Sequence, residues 1–184
     1  EDVTVRKDYE ELITDVKETR VGYSLKFKLS DFNSTKKEAY NYLLIMLEIL
    51  IGDLSEFNVS LKEKNIIKDD IGYSIDDYNE FIHLYGLTDK PDKFIELLEK
   101  QLKTKDFNKE DFELFRKTLI ADYNYGFNSV NGIMLFMSSE YELLGKIDEN
   151  SIKEELSINY DRFKEVVSNF NLKNKSIVVM KNNK

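Results

Sequence analysis

Alternation of apolar and polar residues predicts strands near the beginning, in the middle and at the end of this chain. Four apolar side chains fall on one face of the first predicted strand, at Tyr23, Leu25, Phe27 and Leu29. Segments 71–75 and 81–87 alternate in the same way on either side of a polar turn, which predicts an antiparallel hairpin. A β-branched run at 176–180 predicts a closing strand.

Apolar residues at helical spacing predict the elements between these strands. Thr35 and Glu38 form a capping-box pattern, and the helix that follows is apolar on several faces, which indicates a central position. The other predicted helices are 54–64 with Leu54, Phe57 and Leu61 on one face, one that starts at Pro91, one capped by Asn108, then 130–144, one from Ser151, and 160–170.

This order of elements predicts an α+β fold. We expect an antiparallel or mixed sheet of about four to six strands, with helices packed mainly on one face. Residues 1–20 are weakly patterned and are expected to form an entering linker or an edge strand. Because 184 residues suffice for one large core, residues 21–184 are expected to form a single domain.

Composition narrows the classes of partner. The 35 acidic and 27 basic residues give a formal charge of -8, which argues against nucleic acid as a partner. The most apolar run, Tyr42 to Ile51, contains Glu48 and is about half the roughly 20 residues that a membrane helix needs, so we expect no membrane partner. The absence of cysteine favours a cytoplasmic setting. The chain opens on Glu1 without a leader, which suggests a fragment or a processed product.

An ordered series of segments along nearly the whole chain resembles the second domain of bacterial zinc peptidases of the insulysin, pitrilysin and processing-peptidase family, the inverted zincins. The matching segments are Val21 to Phe27, Leu54 to Phe57, Ile71 to Ile75, Phe81 to Leu87, Asp106 to Phe112, Tyr160 to Val167 and Ser176 to Val179. Each segment alone is common, and their order over about 160 residues carries the resemblance.

Peptidases of this family hold zinc with the inverted motif H-x-x-E-H and a more distant Glu. This chain has one histidine, His83, followed by Leu84, Tyr85 and Gly86, and it has no cysteine, so it cannot form the motif. The resemblance therefore implies the non-catalytic half of a zinc metalloendopeptidase. That half forms a wall of the substrate chamber, binds peptide, and is inactive without a homologous zinc-bearing domain in the same chain or in another subunit.

The resemblance implies zinc in that partner domain, no cofactor in this chain and a bacterial parent protein, which the absence of cysteine places in the cytoplasm, and it leaves a homodimer of the parent open. The alternative is a catalytically dead scaffold or a protein-interaction module of the same fold.

The resemblance also implies two substrate-contacting residues, an Arg and, about seven residues later, a Tyr at the end of a Leu-Gly-Tyr run. Ile71-Gly72-Tyr73 matches the tyrosine, so Tyr73 is the candidate substrate-binding residue. No arginine stands at the matching position, because the residue seven positions before Tyr73 is Ile66. The nearest basic residues before it are Lys62 and Lys64, and Lys62 is the lesser candidate. The alternative for Tyr73 is a core or cross-strand aromatic.

Three further patterns favour structural roles. Asp69-Asp70 and Asp76-Asp77 could act as carboxylate pairs, but they flank predicted strands, where aspartates normally form turns. Ser138-Ser139 lacks the context of a nucleophile. An apolar stripe in the fifth helix is expected to be core rather than an interface; it contains Phe127, Val130, Ile133, Met134, Phe136 and Met137.

Overall fold

The structure, a computed structural model, describes residues 4–76, 78–147 and 157–183. Its strands are β1 (Tyr9–Thr14), β2 (Arg20–Lys26), β3 (Gly72–Asp76), β4 (Phe81–Leu87) and β5 (Lys175–Asn182). Its helices are a 3-10 turn (Leu29–Phe32), α1 (Lys36–Ile51), α2 (Glu56–Glu63), α3 (Pro91–Leu102), α4 (Lys109–Gly126), α5 (Val130–Leu144) and α6 (Tyr160–Ser168). No helix within these ranges is long and apolar enough to cross a membrane.

The five strands form one mixed sheet in the order β1-β5-β2-β4-β3. β1 pairs parallel with β5, and the other neighbours are antiparallel, including the predicted β3–β4 hairpin. One face of the sheet is buried; its side chains include Val21, Tyr23, Leu25, Ile82, Leu84, Ile177 and Val179. The predicted α+β fold with a mixed sheet of four to six strands is therefore confirmed.

The described residues divide into two compact units. The first comprises Glu1–Lys28, Leu50–Thr104 and Asn171–Lys184 and contains the whole sheet with α2 and α3. Helix α3 begins at Pro91, as predicted, and buries Phe94, Leu98 and Leu102. The Tyr23 hydroxyl donates to Glu99 Oε1 of α3 over 3.3 Å, which fixes α3 against the buried face of the sheet.

The second unit, Leu29–Ile49 and Lys105–Phe170, is organised around the buried ring of Phe163 in α6. Four aromatic rings lie within 6.4 Å of it between centroids, those of Tyr42, Phe107, Phe112 and Tyr160. Next to this cluster, the Arg162 guanidinium donates to both carboxylate oxygens of Glu38 over 2.9 and 3.0 Å. Thr35 accepts from the Glu38 amide as the capping box predicts, but the Glu38 side chain binds Arg162 instead of the cap.

Three sequence predictions are wrong in detail. β2 ends at Lys26, because its partner β4 begins at Phe81 opposite Lys26 and the chain then turns into the 3-10 helix, so Phe27 and Leu29 do not extend the strand. Leu54 precedes α2 and is 89% exposed instead of packing with its stripe.

The third wrong prediction is that the apolar stripe of α5 belongs to the core, because most of its side chains are exposed. Val130, Ile133, Met134 and Met137 are all exposed, since α5 turns its other side, with buried Glu140, inward. The helix predicted from Ser151 falls outside the described residues.

Candidate binding groove on the open face of the sheet

The face of the sheet opposite the buried one, called the open face here, brings together polar and small residues from four neighbouring strands, β5, β2, β4 and β3. Strand pairing sets two rows: Val178, Gly22, Tyr85 and Gly72 in one, and Ser176, Ser24, His83 and Ser74 in the next. Residues directly opposite each other in a ladder project from the same face, so each row forms a line across the sheet.

Glycines in the first row make room for the rings beside them. A β-carbon on Gly72 would lie 2.1 Å from Tyr85 Cζ, so the tyrosine ring occupies the space above this glycine. On Gly22, the nearest heavy atom to a β-carbon would be His83 Cε1 at 3.2 Å. The two rings lie nearly parallel, with centroids 5.9 Å apart and 27° between their planes. Together they form a flat aromatic surface next to Gly22.

His83 is the only imidazole of the chain, and it is partly buried. Burial lowers the pKa of His83 below its ordinary value of 6.5, because desolvation disfavours the charged ring. Its Nδ1 lies 2.9 Å from the Ser24 hydroxyl. A catalytic serine also needs a group that orients the imidazole, and no described carboxylate contacts His83. The pair therefore suits hydrogen bonding to a ligand rather than nucleophilic catalysis.

A cavity of about 500 Å³ lies over this part of the sheet. Its lining, called the groove here, includes Gly22, His83 and Tyr85 with the apolar side chains of Leu87, Val178 and Met180. Pockets of roughly 300 to 1,000 Å³ with an apolar lining and a few polar groups are typical of ligand sites. The groove is therefore the candidate functional site of the first unit.

Charged groups stand at the rim of the groove. Arg20, two residues before Gly22, has no ion pair or side-chain hydrogen bond within the described ranges. Asp70 is ion-paired with Lys62 and accepts from Asn58 Nδ2 over 3.2 Å, and Asp69 accepts from the Asp70 amide over 3.0 Å. Arg20 is thus the rim cation that remains available to an anionic ligand.

The residues singled out from the sequence lie on different sides of the sheet. Tyr73 is half-buried and pairs with Leu84, so it shares the buried face and does not line the groove. Lys62 reaches the groove only through its ion pair with Asp70. Asp76 accepts from the amide and the side chain of Asn79 over 2.7 and 2.9 Å, which lowers its pKa and identifies it as a turn residue; Asp77 is outside the described residues.

Zinc does not fit the part of the chain that the structure describes. There, no three His, Cys, Asp or Glu residues come together in a group that could hold a metal ion. The imidazole and carboxylate ligands of a catalytic zinc therefore cannot be drawn from these residues.

The groove was not predicted from the sequence. Gly22 was the signal that could have revealed it, because an isolated glycine inside a strand pattern often marks a close approach of a ligand or of another chain segment. Arg20, Gly22 and Tyr85 converge only through pairing between strands that are distant in sequence.

No protein-family model matches the chain, and no curated protein matches it. Solved structures do. A protein described as an M16-like peptidase from Alicyclobacillus acidocaldarius aligns over 98% of this chain and 45% of its own, with a TM-score of 0.76 and 16% identity. A peptidase M16 inactive domain from Pseudomonas fluorescens aligns over 95% and 43%, with a TM-score of 0.71 and 10% identity.

A protein described as a zinc protease from Bordetella pertussis Tohama I aligns over 91% of this chain and 96% of its own, with a TM-score of 0.69 and 13% identity. The chain spans a little under half the length of the first two proteins. It has the fold of an M16-type peptidase domain, which confirms the family resemblance at the level of the fold.

Proposed function

We propose that this chain is the non-catalytic, substrate-binding domain of an M16-type zinc peptidase, and that its open sheet face forms a wall of the substrate chamber. The observation that carries the proposal is an M16-type fold over 98% of a chain that has one histidine and no cysteine. A fold alone does not define a function, so the groove supplies the second support: it is concave and mainly apolar, and its rim carries Arg20, which has no ion pair among the described residues.

Zinc, in this proposal, belongs to a homologous partner domain. The H-x-x-E-H motif needs two histidines, and this chain has one. The first two similar structures are about twice as long as this chain, which leaves room in such proteins for a second domain of the same size. The partner would hold the metal that activates water, while this chain would orient the peptide.

The apolar face of α5 is the proposed contact surface for the partner domain. Val130, Met134 and Leu135 are 74%, 61% and 70% exposed, and Tyr141 is exposed as well. From Phe127 to Ser139 the chain has no charged residue, although 34% of the whole chain is charged. Exposed apolar surface without charges is typical of the core of a protein interface.

The same face supports a second candidate, a protein-interaction module that has no catalytic partner. Two methionines on this helix, Met134 and Met137, are exposed, and methionine adapts to partners of different shape. The zinc motif of the partner domain separates the two candidates, because an intact motif favours the peptidase and a degenerate one favours the module.

Zinc content and peptide cleavage test the proposal. We expect the isolated chain to bind no stoichiometric zinc and to cleave no peptide, and we expect cleavage when it is combined with the homologous domain of its parent protein. Stoichiometric zinc or cleavage by the chain alone would overturn the proposal. Formation of the complex without cleavage, with a partner domain whose zinc motif is degenerate, would favour the interaction module.

A further inference from the structure

Gly22 occupies a position in the sheet that a larger residue would normally fill. It lies in β2, the central strand, between β5 and β4. Glycine weakens a strand because it has no side chain to pack and loses much backbone entropy on folding. Gly72 and Gly86 are explained by rings that occupy their space, those of Tyr85 and Phe94. A β-carbon on Gly22 would meet only the His83 ring closely, at 3.2 Å from Cε1, because its next nearest atoms lie 4.0 Å away, and Gly22 also lines the groove.

The space above Gly22 suits a bulky uncharged side chain. Val178 stands opposite Gly22 on β5, Met180 and Leu87 lie further along the groove, and the His83 ring closes one side. These walls are hydrocarbon side chains and the partly buried imidazole ring. An apolar ligand group gains affinity here from the surface it removes from water.

Arg20 lies at a spacing that an extended peptide can match. It is two residues from Gly22 on the same face of β2, about 6.7 Å away along the strand. Residues i and i+2 of an extended peptide project to one side with the same spacing. A peptide aligned with β2 can therefore place one side chain above Gly22 and the next one on that side beside Arg20.

We propose that the groove binds an extended peptide by a bulky apolar side chain seated above Gly22 and a carboxylate two residues away that pairs with Arg20. This rests on the proposed function in one respect, since that function makes a peptide the ligand. Both chain directions satisfy the spacing, so the recognised patterns are apolar-x-acidic and acidic-x-apolar. Of the two carboxylates at the rim, Asp70 is ion-paired with Lys62.

Fluorescence anisotropy with labelled, acetylated and amidated heptapeptides tests this directly, because amidation leaves a glutamate as the only carboxylate. The probes carry Phe-Ser-Glu or Glu-Ser-Phe at their centre, and the comparison peptides replace Phe by Ala or Glu by Lys. We expect the loss of the phenyl ring to weaken binding by roughly tenfold or more. We expect the Glu-to-Lys change to weaken it severalfold, and less so in high salt.

Two variants locate the effects. Gly22→Val fills the space with a residue that strands favour, and it should abolish the preference for Phe over Ala. Arg20→Gln should abolish the preference for Glu over Lys and leave the Phe preference intact. Gly126→Ala is the matched control, because a β-carbon there has no neighbour within 4 Å. Thermal unfolding confirms that each variant is folded.

Equal binding of the Phe and Ala peptides by the unmodified chain would overturn the inference without any variant. So would a Gly22→Val protein that is folded and retains the Phe preference. The proposed function fails separately. If the peptide preferences hold while the parent protein has no zinc-dependent activity, the groove is the site of an interaction module. If the parent cleaves peptides and the preferences are absent, only this inference is lost.

Discussion

The ring of Tyr85 lies over Gly72 on the neighbouring strand. The three heavy atoms nearest to a β-carbon on Gly72 would all belong to this tyrosine. The next residue of β4, Gly86, faces the other side of the sheet, where a β-carbon would lie 2.9 Å from Phe94 Cζ. The two rings differ in freedom: Tyr85 is 54% exposed, whereas Phe94 is fully buried.

Because of this difference, a side chain added at Gly72 should cost less free energy of unfolding than one added at Gly86, although its contact is the closer of the two. Gly86→Ala should lower the free energy of unfolding by about 1 to 3 kcal/mol, because Phe94 is packed and cannot move aside. Gly72→Ala should change it by less than about 1 kcal/mol, because Tyr85 can swing into solvent and alanine restricts the unfolded chain. Urea denaturation of both variants measures the two costs. A cost for Gly72→Ala equal to or above that for Gly86→Ala would contradict this account.

His83 should make stability depend on pH below neutrality. Burial lowers its pKa in the folded chain below the ordinary 6.5, so the unfolded chain binds the proton more readily. The contribution of neutral His83 is therefore fully present above about pH 6.5 and is lost as the pH falls through the folded pKa. His83→Asn should remove this part of the slope. The unfolding free energies of both proteins are measured between about pH 7.5 and 5.0, at pH steps on the order of half a unit. The two curves should diverge as the pH falls, and parallel curves would exclude the effect.

Local signals in the sequence predicted the elements that local chemistry controls. The Pro91 start of α3, the Asn108 cap of α4 and the hairpin each depend on a few neighbouring residues, and the structure contains all three. The end of β2 was misplaced because it is set by the start of its partner β4 at Phe81, more than fifty residues away, whereas the alternation of apolar residues continues past Lys26.

The candidate site could not be predicted because its parts meet only in the assembled sheet. Gly22 pairs with Tyr85 and Val178, which are 63 and 156 residues further along the chain. The alternation of a strand shows that it has two faces, but which face is open depends on where the helices pack. Helix α5 illustrates the same limit, since its apolar residues resemble a core stripe in sequence and their exposure follows from tertiary packing.

The ion pair of Lys37 and Glu140 joins α1 to α5, and both side chains are almost completely buried. Glu140→Leu should destabilise the chain by about 3 to 5 kcal/mol, because it leaves a buried ammonium without its carboxylate. Adding Lys37→Met should recover most of that loss, since an apolar pair of similar volume carries no desolvation cost. A double-mutant cycle in urea measures the coupling. Additive losses in the double variant would show that the two charges do not stabilise each other.

The outward face of α5 should tolerate polar residues in the isolated chain. Met134→Gln and Leu135→Gln change side chains that are already largely in water, so each should alter the free energy of unfolding by no more than about 0.5 kcal/mol. Met46→Gln is the matched control, because Met46 is fully buried and the same chemical change there puts an amide into the core, at a cost of about 2 kcal/mol or more.

The same two α5 substitutions should separate folding from association. If this face contacts the proposed partner domain, the double variant should lose affinity for that domain by roughly tenfold or more while unfolding at the same urea concentration as the unmodified chain. Sedimentation velocity of the two domains, mixed with and without the substitutions, measures the loss. A variant that is less stable would show that α5 packs within the chain, and one that binds the partner unchanged would place the contact on another surface.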